Sequence, residues 1–227
     1  MRRILLDIEG TTTSIRFVYE ALFPYAAKRL PTFVTERWSD PAVAKGCQAV
    51  LADATPEERA LGEPLAVIAV LQRQMAGDVK ATGLKTLQGL VWREGYESGQ
   101  VFGHVYEDVP LAFRRWQAGG IPVAIYSSGS ILAQQLLFRH SVAGDLTPFL
   151  TGYYDTTSGP KREAASYTAI AKAWGCAPSD IIFGTDQPAE AIAAAAAGCE
   201  AVILLRPGNA VLPANLPFAI HADFTAL

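Results

Sequence analysis

Cysteine and histidine are scarce in this chain: three of each among 227 residues. The cysteines, Cys47, Cys176 and Cys199, are odd in number and form no CxxC pair. That argues against a disulfide framework and against a thiolate zinc site. They read instead as small buried or half-buried thiols of a reducing compartment. The histidines, His104, His140 and His221, are scattered without ligand spacing, so a histidine phosphatase or a His-rich metal centre has little support. His140 follows Arg139 at an expected helix end, where a cation complements the dipole. Basic runs are missing too. The net charge is −3, and no Lys/Arg cluster marks a surface for nucleic acid or an anionic membrane. Apolar stretches such as EPLAVIAVL and AIAAAAAG are too short to span a bilayer. The three apolar residues after Met1-Arg2-Arg3 are too few for a signal-peptide core. A cytoplasmic protein with no nucleic-acid and no membrane partner is the expectation.

What the chain does have is apolar content and alternation. Half of its residues are hydrophobic, enough for a sizeable core. From about residue 103, helical and strand patterns alternate. Helix is expected over 109–120, stopped by two glycines, and again over 130–140, 161–174 and 187–197; strands are expected over 122–127, 149–154, 180–185 and 201–205. Such alternation predicts a parallel sheet covered by helices, with residues 1–10 adding one further strand. Residues 17–100 hold no convincing strand. Segments 19–35, 40–54, 56–76 and 83–97 carry apolar residues at helical spacing between Pro, Gly and Asp-Pro breaks. The division expected is a core of residues 1–16 and 101–227, with an all-helical insert, residues 17–100, as a cap over the active site.

Four polar clusters sit mostly at the ends of apolar runs. ILLDIEGTTT (4–13) delivers Asp7 and Glu9 to the end of the first strand, both leaving on one side. Ligands of open α/β sheets bind at such carboxyl ends, although strand-end acids are also often plain solvated loop residues. VAIYSSGS (123–130) ends in Ser127 and Ser128; either of these, or Ser130, also suits a helix N-cap. GPKREAASY (159–167) places Lys161 at an apparent helix start, where acids rather than cations are favoured. IIFGTDQPAE (181–190) ends in Asp186, with Glu190 four residues on as either a partner of the site or an ordinary first-turn acid.

The order Asp, Ser, Lys, Asp resembles the four motifs of the haloacid dehalogenase superfamily of phosphohydrolases. Asp-Ile-Glu-Gly-Thr-Thr, Tyr-Ser-Ser-Gly-Ser and Arg206-Pro207-Gly208-Asn209 resemble more narrowly the enolase-phosphatases, or acireductone synthases, of methionine salvage. Most of the superfamily carries Asp where this chain has Glu9. The resemblance implies a Rossmann-like parallel core with the Asp7 strand central. It implies Asp7 as the nucleophile that forms an aspartyl-phosphate. Glu9 would be the acid that protonates the leaving oxygen and later activates water. Ser127 and Ser128 would bind the phosphoryl group, and Lys161 would pair with it and with Asp7. One Mg²⁺ per subunit would be held by Asp7, Asp186 and the main-chain carbonyl of Glu9, a carboxylate set that favours Mg²⁺ over Zn²⁺. The implied substrate is a small phosphate ester, 2,3-diketo-5-methylthiopentyl-1-phosphate, enolised and then dephosphorylated by a monomeric enzyme. Glu9 and, more weakly, Glu94 are the candidates for the enolisation base. Phe17, Val18, Trp92 and Tyr96 are candidates for an apolar pocket, with core packing the simpler role for them. RPGN reads first as a turn after a strand. A generic phosphatase of the superfamily is the nearest rival, ahead of a catalytically idle binding domain.

Overall fold

The computed structural model describes residues 1–79 and 81–227. Among them, six strands form one all-parallel sheet: β1 (Arg3–Leu6), β2 (Val123–Tyr126), β3 (Leu150–Tyr154), β4 (Ile181–Thr185), β5 (Glu200–Leu204) and β6 (Ala219–His221), in the order β3-β2-β1-β4-β5-β6. The parallel sheet is what the alternating pattern predicts, and its Rossmann-like order with β1 central is what the family resemblance implies. β1 is central because it is apolar on both faces. Ile4 and Leu6 point into one core cluster and Leu5 into the other. A strand buried on both sides reads as a continuous apolar run rather than an alternating one.

The chain divides into two compact units, Met1–Val18 with Phe102–Leu227, and Tyr19–Val101. A single helical turn, α1 (Ile15–Phe17), and a π-helical run, Val18–Leu22, follow the first strand. The regular elements among the described residues of the second unit are all helical, the α-helices being α2 (Phe23–Glu36), α3 (Pro41–Ala52), α4 (Pro56–Arg59), α5 (Leu65–Ala76) and α6 (Thr82–Glu97). Each of its longer helices buries one stripe, for example Ala26, Leu30, Phe33 and Val34 of α2 and Leu84, Leu87 and Val91 of α6. These stripes merge into one apolar cluster. α3 and α6 touch main chain to main chain, since a Cβ on Gly83 would lie 2.6 Å from the Val50 amide nitrogen. The single helical segment expected over 56–76 is two helices, because Gly62 (φ +72°) and Pro64 interrupt it.

The first unit continues with α7 (Asp108–Ala118), α8 (Ile131–Arg139), α9 (Ala164–Ala173) and α10 (Pro188–Ala196). Val109, Phe113 and Trp116 of α7 and Leu137 and Phe138 of α8 cover the Ile4/Leu6 face; Tyr167 and Ile170 of α9 and Ala193 and Ala194 of α10 cover the Leu5 face. Burial of each such large side chain is worth about 1.5–3 kcal/mol. β6 was not expected from the sequence: it is three residues long, half exposed, and lies at the sheet edge beside β5. α9 begins at Ala164 rather than at 161, so Lys161 belongs to the turn before the helix and not to its first turn.

Candidate active site

In a doubly wound sheet the ligand crevice lies outside the carboxyl ends of the strands, where the strand order reverses. Here the chain moves from β1 out to β2 and β3, then returns to β4 on the other side of β1. Asp7 follows β1 directly and Asp186 follows β4 directly, so the reversal point places both carboxylates at the ends of adjacent strands.

Lys161 joins the cluster from the turn before α9. That turn is clamped by two buried phenols: Tyr126 donates to Gly159 O at 2.8 Å and Tyr167 to Lys161 O at 2.7 Å. Lys161 Nζ lies 2.6 Å from Asp7 Oδ1 and 2.7 Å from Glu190 Oε2, all three side chains being about nine-tenths buried or more. Burial opposes the lysine's charge, but the Asp7 and Glu190 carboxylates outweigh it and hold its pKa above the ordinary value. Glu190 is therefore a partner of the site rather than an ordinary first-turn acid.

Asp7 Oδ1 also accepts the Ile8 N–H at 2.7 Å. Among the described residues its other oxygen, Oδ2, has only the Thr185 hydroxyl at 3.3 Å, and that hydroxyl is closer to Glu190, at 2.9 Å. A hydroxyl has one hydrogen to donate. Given to the nearer Glu190, it leaves Oδ2 as the Asp7 oxygen with spare lone pairs. Thr185 went unnoticed in the sequence because it reads as the last residue of an apolar strand.

Ser127, fully buried, donates its hydroxyl to Glu9 Oε2 at 3.2 Å and accepts the Gly129 N–H at 3.1 Å. Capping of α8 falls to Ser130, whose hydroxyl accepts the Ala133 N–H. Ser128 is exposed, and its side chain makes no hydrogen bond among the described residues. Asp186 accepts from Gln187 Nε2 at 2.8 Å. Burial, followed by repulsion from Asp7, raises the pKa values of Glu9, Glu190 and Asp186, the last to about 6. Four carboxyls thus share one lysine.

A divalent cation fits this deficit. The donors are hard oxygens, and Mg²⁺ is usually held by one or two carboxylates with its remaining positions filled by water and substrate oxygen. Asp7 and Asp186 match that count; among the described residues no group of three or more His, Cys, Asp or Glu side chains is arranged to hold a metal. Gly10, at φ +72°, lets the loop approach Asp186 closely, since a Cβ there would lie 2.5 Å from Asp186 Oδ2 and 3.0 Å from Asn209 Oδ1. That Asn209 oxygen is buried and has no donor among the described residues.

Two further groups escaped the sequence reading. His104 Nδ1 accepts the Ser14 N–H at 3.1 Å and lies 3.0 Å from Thr13 Oγ1, bracing the end of the Asp7 loop. Burial lowers its pKa. Arg206 is more than part of a turn: it is buried and paired with Asp108 at 2.8 Å. In the helical unit, Glu94 is held by Arg29 at 2.7 Å and Arg37 at 2.6 Å, a poor setting for a base. Trp92 donates to Leu22 O and stacks on Phe23, and Tyr96 is buried, contacts in keeping with the simpler packing role.

A Rossmann-like sheet with Asp, Ser, Lys and Asp gathered at its reversal point defines a haloacid dehalogenase-like hydrolase, and the chain belongs to that family, whose model matches residues 1–198. Within it the chain is 48% identical over 225 residues to the enolase-phosphatase E1 of Synechococcus elongatus, covering 96% of this chain and 94% of that one. It is likewise 48% identical to the enolase-phosphatase E1 of Drosophila melanogaster, over 99% of this chain and 91% of the other. Among solved structures, the UTR4 protein of Saccharomyces cerevisiae superposes with a TM-score of 0.84 at 36% identity, covering 99% of both chains.

Proposed function

We propose that this chain is an acireductone synthase, converting 2,3-diketo-5-methylthiopentyl-1-phosphate to the acireductone and phosphate. The observation that carries the reading is the buried Asp7–Lys161–Glu190 cluster, with Glu9 and Asp186 beside it, in a chain 48% identical to enolase-phosphatases over nearly its whole length. The working unit is read as a monomer with one Mg²⁺; Asp7, Glu9, Ser127, Lys161 and Asp186 all come from one chain, so a single subunit supplies the whole site. Three free cysteines suit a reducing cytoplasm. The helical unit, inserted in sequence just after the Asp7 loop, is the cap and carries selectivity for the methylthio substrate.

Asp7, Asp186 and the Glu9 carbonyl would hold Mg²⁺, which when bound supplies Lewis-acid charge to the diketone and the phosphoryl group. A base first takes a proton from the carbon that bears the phosphate ester, and the neighbouring carbonyl oxygen gains a proton to give the enol; Asp7 Oδ2 then attacks phosphorus as the ester P–O bond breaks. Lys161, already paired with Asp7, binds the phosphoryl oxygens as negative charge shifts onto them, and Ser127 and Ser128 bind the same group. Glu9, whose raised pKa favours the protonated form, gives its proton to the leaving enol oxygen. It then takes a proton from the water that attacks the aspartyl-phosphate, which frees phosphate and regenerates Asp7. The deciding experiment supplies the diketo phosphate with Mg²⁺ and follows acireductone absorbance together with free phosphate. Equal production of both supports the reading. Turnover of p-nitrophenyl phosphate but not of the diketo phosphate would leave a generic phosphatase.

A further inference from the structure

The carbonyls of residues 10 to 13, in the loop after β1, each have a donor. Gly10 O accepts from Asn209 Nδ2 at 2.9 Å and Thr11 O from Arg206 Nε at 3.0 Å. Thr12 O accepts the Tyr106 N–H at 3.1 Å, and Thr13 O the Gly10 N–H at 2.8 Å. Three of these four donors come from two segments, around 106 and 206–209, that carry none of the reacting groups.

Arg206 leaves this brace little freedom. Its terminal nitrogens form a two-pronged pair with Asp108, at 2.9 and 2.8 Å, and Nη1 also donates to Ala222 O at 3.0 Å. The guanidinium is sandwiched between the Tyr106 and Phe224 rings, 4.5 and 4.8 Å from their centres. A planar fork held on its edges and both faces stays in one orientation. Asn209, three residues on, donates through Nδ2 to Leu204 O at 3.1 Å as well as to Gly10 O. It therefore rivets the Asp7 loop to the end of β5, the strand next to β4 and Asp186.

The rivet matters because the loop already meets Asp186 at the limit of approach: no side chain fits at Gly10. A small shift of the loop changes the spacing between Asp7 and Asp186. We propose that Asn209, anchored by Arg206, is a positioning residue that sets this spacing and thereby the affinity for the divalent cation. The proposal rests on Asp7 and Asp186 being the cation's carboxylate ligands.

The test is Mn²⁺ binding to the full chain, read by electron paramagnetic resonance, with kcat, KM and the urea midpoint measured alongside. Wild type should bind one Mn²⁺. Asn209→Ala should stay folded and bind Mn²⁺ about tenfold more weakly, the low end of what such supporting contacts are worth. Its kcat should fall by a similar factor, with KM within twofold. Arg206→Lys keeps the charge but loses the fork, and should weaken Mn²⁺ binding in the same direction. A folded Asn209→Ala with Mn²⁺ affinity and kcat within twofold of wild type overturns the proposal and leaves the site assignment standing. Failure of both variants to fold also overturns it, since the brace is then structural. Absence of Mn²⁺ binding in wild type overturns the ligand assignment itself.

Discussion

The two units bury different things. The helical unit hides Leu30, Phe33, Val50, Val70 and Leu87, and its ion pairs are less deeply buried: Arg73 and Glu36 are about half exposed, and Arg29 and Glu94 partly exposed. The sheet unit has equally apolar faces, yet it also hides Lys161 with Asp7 and Glu190, and Arg206 with Asp108. Removing charge from water is costly, and a buried ion pair is often no more stabilising than apolar side chains of the same volume. Nothing about stability calls for ionic interiors in one unit and not in the other. Ion pairs occur in both units; the most deeply buried are in the sheet unit, where the Lys161 pairs hold the reacting groups and the Arg206 pair braces the loop beside them.

The sharpest way to break this contrast is to remove the nucleophile. Asp7→Asn keeps the shape but loses the attacking oxygen, and phosphate release should fall by about 10³-fold or more. A rate within tenfold of wild type would end the covalent route. Stripping the divalent cation with EDTA should be nearly as severe and reversed by Mg²⁺. Ca²⁺, with its larger and looser shell, should restore little; full activity after rigorous metal removal would contradict the site. Lys161→Met leaves Asp7 and Glu190 buried without their cation and should cost about 3–5 kcal/mol in urea unfolding. Ser127→Ala removes the hydroxyl that Glu9 accepts, a bond that lowers the Glu9 pKa. The rate limb set by Glu9 should then move to higher pH, with kcat down about tenfold, as for a hydrogen bond to a charged group. Glu94→Gln in the helical unit should do least: about 1 kcal/mol or less of stability and kcat within twofold. A large kcat loss there would return Glu94 to the list of enolisation bases.

The parts of the site that were legible in the sequence are those made by a local rule. Asp7, Ser127 and Asp186 each end an apolar run, so the strand itself announces them. Lys161 was placed in the right neighbourhood but on the wrong element, because Gly159-Pro160 looks like a helix start while Glu163 is the actual N-cap. What stayed hidden depends on partners far apart in the chain. Thr185 looks apolar-strand-like until Glu190 is seen beside it. His104 has no ligand spacing because its partners are Thr13 and Ser14, some ninety residues away. Arg206 and Asp108 are ninety-eight residues apart, and no periodicity links them. The fold follows the same division. The buried strands show as apolar runs, whereas β6, short and half exposed, has no pattern to read.

The central position of β1 also has a consequence for the order of assembly. Its neighbours begin at Val123 and Ile181, so the first strand to be synthesised pairs only after more than a hundred further residues exist. The helical unit, contiguous from Tyr19 to Val101, needs no such wait. On a ribosome adding about 5–20 residues per second, the insert has a lead of about one to five seconds over the completed β2 in which to collapse on its own nearby contacts. The strand that leads into Asp7 stays unpaired until β2 emerges, its backbone edges open for that interval.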